Sequence, residues 1–141
     1  MSLDRRRCRI LAMQALCHWE VQEDDSTDSL RTMLRAQDAS GTEIRAALKL
    51  VGSARKNREK IDQCISDASE HWDLQRVSPV ERNIMRVAVA EWLETEVPPK
   101  VALNEAIEIA RTYGGEQSPR YVNGVLHAVL KQLENNQEES E

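Results

Sequence analysis

The chain has 141 residues, 40% apolar and 30% charged, with no phenylalanine and a net charge of −5. That length suits one domain with its own core, and an apolar set made mostly of Ala, Leu, Val and Ile suits helices packed through aliphatic side chains. The acidic total argues against binding nucleic acid by bulk charge, and the three scattered cysteines, Cys8, Cys17 and Cys64, argue against a disulfide framework or a zinc site.

In chain order, Asp4 is placed to cap a first helix over about Arg5 to Val21, where Cys8, Leu11, Ala12, Ala15, Leu16 and Trp19 recur at helical steps. Arg5, Arg9 and Gln14 fall off that stripe, so the arginines are free to face solvent. Against Asp4, the four arginines Arg5, Arg6, Arg7 and Arg9 give the first nine residues a charge of +3. Guanidinium groups so close together make a docking point for phosphates. They also oppose the dipole of the helix they open, which leans toward use rather than toward a merely solvated terminus.

Residues 23–29 are a polar break, and a short helix is expected over Leu30 to Ala36. Ser40 followed by Glu43 writes a capping box. The stripe Ile44, Ala47, Leu48, Val51, Ala54, Ile61, Ile65, Ala68 and Trp72 then predicts one long third helix, with Arg55, Lys56, Arg58 and Lys60 on its exposed side. Ser78-Pro79-Val80-Glu81 opens a fourth helix whose dense apolar positions, Ile84, Met85, Val87, Ala88 and Trp92, suggest contact on more than one side.

Pro98-Pro99 and Gly114-Gly115 bound a fifth helix, about Lys100 to Thr112, and Ser118-Pro119 opens a sixth, about Arg120 to Leu133. Asn104 and Asn123 are poor helix formers, expected to make specific hydrogen bonds that lock the joint between these helices, and Gly124 is expected to admit a close neighbour. Arg120 and Tyr121 have two readings: a phosphate contact beside a stacked base, or a solvated residue beside a packed one. Residues 135–141 read as a disordered acidic tail. The expectation is an all-α single domain over residues 1–134, a bundle of about six or seven helices.

Catalytic motifs are missing: there is no GxxxxGK, GxGxxG, HExxH or GxSxG, and His18, His71 and His127 lie far apart. Glu105 and Glu108 read as a solvated helix face. No enzyme activity and no cofactor are expected. No apolar run approaches the ~18 residues of a membrane span, and the Arg-rich start lacks a signal peptide's apolar core, so a cytoplasmic protein is expected.

Three blocks, RRRCRILAMQALCHWE, VERNIMRVAVAE and PPKVALNEAIEIARTYGGEQSPRYVNGVL, resemble the NusB family of bacterial transcription antitermination factors, over about Arg5 to Leu130. The resemblance implies two packed three-helix subbundles and binding of a single-stranded boxA-like element of ribosomal RNA leader transcripts. It also implies NusE, a small-subunit ribosomal protein, as partner, in a complex that helps RNA polymerase resist premature termination. Carried over by position, it implies Arg5, Arg6, Arg7 and Arg9 as RNA contacts, with Gln14 on the same helix and Gln117, Ser118, Arg120 and Tyr121 at the last joint. Glu81 is implied as the contact to NusE. Cys17 departs from the family, which often has an aromatic there, and Pro119 lacks a backbone N–H. A helical protein–protein adaptor, an RNA-targeting domain of the kind fused to ribosomal RNA cytosine methyltransferases, and either a monomer or a homodimer remain open.

Overall fold

A computed structural model describes residues 3–22, 26–69 and 77–140, with the backbone alone for 137–140. Among these residues there are seven helices and no strand: α1 Arg5–Gln22, α2 Thr27–Arg35, α3 Gly41–Lys56, α4 Arg58–Ala68, α5 Pro79–Glu94, α6 Pro99–Tyr113 and α7 Ser118–Ser140. None is long and apolar enough to cross a membrane.

Most helix starts are where the caps put them. The Asp4 carboxylate accepts from Arg7 N–H at 3.0 Å, and Ser40 and Glu43 form the reciprocal capping box, each side chain accepting the other's backbone N–H. α2 begins earlier than expected because Ser26, inside the polar break, is its cap and accepts from Ser29 N–H.

The single long third helix is corrected to two. Asn57 leaves helical geometry at φ −103° and ψ 16°, and its Nδ2 donates to Ser53 O at 2.9 Å and to Glu94 Oε1 at 2.7 Å. An amide side chain that competes for a backbone carbonyl interrupts the ladder. Trp72, the expected end of that stripe, lies outside the described residues.

Beyond Glu134 the backbone of α7 runs on to Ser140, since extending a formed helix through Gln and Glu costs little. Glu141 lies outside the described residues.

α1, α2 and α3 pack together, as do α4, α6 and α7, and α5 lies between the two groups, touching α1, α3, α4, α6 and α7. The broken third helix therefore makes the second group four helices rather than three when α5 is counted with it. Every residue from Asn83 to Glu91 is buried, as a helix covered on all sides requires. Its buried polar groups are paired: Arg86 bridges Asp62 and Glu20, and Asn83 Nδ2 donates to Pro79 O at 3.0 Å.

Candidate nucleic-acid interface

The first turn of α1 divides its arginines by direction. Arg5, Arg6 and Arg7 stay at or near the surface, whereas Arg9 is only 6% exposed. The Arg9 guanidinium grips the Glu91 carboxylate with two bonds, Nε to Oε1 at 2.6 Å and a second nitrogen to Oε2 at 3.0 Å. Burial would drive its proton off, but the Glu91 bond and charge outweigh this and hold it protonated. The expectation that Arg9 faces solvent is therefore corrected: it is buried and holds a carboxylate inside the bundle.

The remaining three differ in availability. Arg6 Nε donates to Glu105 Oε2 on α6 at 2.5 Å, a half-exposed pair, and one Arg7 nitrogen donates to Gln37 O at 2.5 Å. Gln37 belongs to the α2–α3 turn, where Asp38 takes a left-handed φ of 59°. Arg5 is exposed and makes no ion pair among the described residues. Gln14 is half-buried, and its Oε1 is shielded from solvent without a hydrogen bond among the described residues. Beside this cluster the buried Cys8 thiol is pushed up by burial and then by Glu43, which works against a reactive thiolate.

At the last joint, Gln117 and Arg120 are exposed, and Gln117 O accepts Tyr121 N–H as α7 begins. Ser118, expected as an RNA contact, is buried in the joint: its Oγ accepts Gly115 N–H at 2.9 Å, and its N–H donates to Gly115 O. A Cβ on Gly114 would stand 2.5 Å from Ser118 Cβ, so this close seat, not an asparagine, locks the joint. Asn104 and Asn123 are exposed and make no hydrogen bond among the described residues, and a Cβ on Gly124 would meet nothing within 4 Å. The hydrogen bonds expected of Asn104 and Asn123 and the close neighbour expected at Gly124 are therefore not found among the described residues.

Tyr121 is half-buried against the core with its hydroxyl oxygen shielded from solvent, and burial followed by the charge of Glu81 raises its hydroxyl pKa. Glu81 sits in the first turn of α5. Its N–H donates to Ser78 Oγ at 3.2 Å, and the Ser78 hydroxyl donates to Glu81 Oε1 at 2.8 Å, so the second carboxylate oxygen is left for another partner. Cys17 packs at the α1–α5 contact, its Sγ 3.5 Å from Pro79 O and 3.4 Å from Asn83 Nδ2.

The candidate residues thus fall into two clusters. Arg9 marks the level of Glu91 near the end of α5, and Tyr121 is within electrostatic reach of Glu81 at its start. Ten residues of helix separate these levels, about 15 Å at 1.5 Å per residue. Sequence reasoning missed the partners Glu91, Glu105 and Gln37. Only Glu91 left a signal, a charge within the apolar run VAVAEWL that demands a buried counter-charge.

A family model described as the NusB family matches residues 6–131. A transcription antitermination protein NusB from an Anaeromyxobacter species is 40% identical over 134 residues, covering 94% of each chain. One from Dehalococcoides mccartyi is 32% identical over 134 residues, again 94% of each. A solved NusB structure from T. maritima superposes with a TM-score of 0.79 at 35% identity, covering 93% of both chains. A structure of antitermination factors NusB and NusE in complex with double-stranded RNA superposes at 0.80 with 26% identity, over 91% of this chain and 96% of that one.

Proposed function

The chain belongs to the NusB family of transcription antitermination proteins, and from that premise we propose that it binds a boxA-like single-stranded RNA jointly with NusE. It does so within the RNA polymerase antitermination complex, on nascent ribosomal RNA leaders in the cytoplasm. It acts by binding and carries out no chemical step.

The observation that carries this reading is the surface position of Arg5, Arg6 and Arg7 at one helix start, with Arg5 in no ion pair among the described residues. Arg6 exchanges its half-exposed Glu105 partner for a phosphate at little cost, because solvent screens such a surface pair. Arg120, Gln117 and the half-buried Tyr121 supply a second contact, where the α7 N-terminus favours a phosphate and an aromatic ring favours a base. Glu81 offers its outer carboxylate oxygen to NusE. An adaptor without RNA fits less well, because among the described residues the exposed large apolar side chains are Val21, at the end of α1, and Val101 and Tyr113, at opposite ends of α6.

Alanine at Arg5, Arg6 and Arg7 together tests the reading by titration with boxA-like RNA. The expected result is at least a tenfold drop in RNA affinity, with a salt dependence shallower by about 1 for each phosphate the variant no longer holds, and with NusE binding kept. Unchanged RNA affinity would overturn it.

A further inference from the structure

Between the start of α1, the outer face of α3 and the end of α5 lies a groove of about 510 Å³. That is within the ~300–1,000 Å³ typical of small-ligand sites. Its floor is apolar, with Leu50 and Val97. Arg5 and Lys49 stand on its rim, and neither makes an ion pair among the described residues. The two carboxylates that also line it are engaged, Glu91 by Arg9 and Glu94 by Lys56 and Asn57. Ser53 lines it too, and its Oγ is shielded from solvent without a hydrogen bond among the described residues.

We propose that this groove is a base-binding subsite, in which one nucleobase of the bound RNA leaves the strand and packs on Leu50 and Val97. Arg5 and Lys49 hold the flanking phosphates. The chemistry fits a nucleotide better than an apolar peptide, because the rim's unengaged charges are positive and one of them, Arg5, belongs to the RNA contact proposed above. The inference rests on the RNA reading and adds a seat for one base to it.

Gly52 allows a clean test, since it lines the groove on α3 and a Cβ there meets nothing within 4 Å. Gly52→Leu fills the groove while removing a helix-weakening residue, so loss of fold is not a confounding outcome. Affinity for a boxA-like RNA would be measured with NusE present, for the intact strand and for strands made abasic at one position at a time. Gly52→Leu is expected to weaken the intact strand about tenfold, as loss of one stacked base does. A single abasic position should cost the unaltered protein the same and cost Gly52→Leu nothing further. Lys49→Gln should flatten the salt dependence by about one phosphate.

Binding by Gly52→Leu and Lys49→Gln within twofold of the unaltered protein would overturn the subsite and leave the RNA reading standing. Gly52→Leu that spares RNA but weakens NusE would also overturn it, assigning the groove to a protein segment. Failure of the unaltered protein to bind the RNA would instead refute the RNA reading itself, and the subsite with it.

Discussion

Arg5 and Arg9 lie one helical turn apart and have opposite fates. Arg9 neutralises Glu91 inside the bundle, so Arg9→Ala leaves a buried carboxylate without its partner. The expected cost is about 3–5 kcal/mol of stability in urea unfolding, whereas Arg5→Ala should stay within about 0.5 kcal/mol and lose RNA affinity instead. If both variants unfold alike, the division is wrong. The sequence pattern showed both residues off the apolar stripe but not where a long side chain ends, because the partner of Arg9 comes from 82 residues away. Glu20 makes a second residue-level prediction. Burial opposes its ionisation, but the Arg82 bond and charge, with the Arg86 charge, prevail and lower its pKa below the ordinary 4.5. A lowered carboxylate contributes stability that is complete above its unfolded pKa and is lost as pH falls through the folded one. Unfolding free energy should therefore drop below about pH 4.5, and Glu20→Gln should be less stable at neutral pH with a flatter acid limb. An unchanged acid slope in that variant would contradict the assignment.

Among the elements, the α6–α7 joint depends on space. Gly114→Ala would force a Cβ to within 2.8 Å of Ala110 O and closer still to Ser118, and should cost about 1–3 kcal/mol. Gly124→Ala, in open space on α7, should instead add about 1 kcal/mol. Thermal unfolding of the two variants checks both signs, and a stabilised Gly114→Ala would refute the packed joint. Helix starts were legible because Asp4, Ser40 and Ser78 each cap in the way their residue types favour. The start of α2 was not, because several residues of its polar break could cap and only tertiary packing selects Ser26. The break at Asn57 was hidden by an apolar stripe that runs through it in register. Asn104, Asn123 and Gly124 misled for the opposite reason, since poor helix formers at exposed positions look the same in sequence as buried ones.

For the whole molecule, the basic start of α1 and the start of α7 lie about 15 Å apart along α5, and α6 between them carries Glu105 and Glu108. With residues 1–133 near −1 in net charge, so small a cationic surface neutralises few phosphates, and RNA binding by this chain alone should be modest and salt-sensitive. A second protein that extends the charged surface supplies what is missing, which is the physical case for NusE. The central claim is joint recognition, and it is tested most directly by titrating a boxA-like single strand and a scrambled one with this protein, with and without NusE, across a salt series. The account predicts selective binding of the boxA-like strand that tightens when NusE is added. Equal, weak binding of both strands, unchanged by NusE, would contradict it.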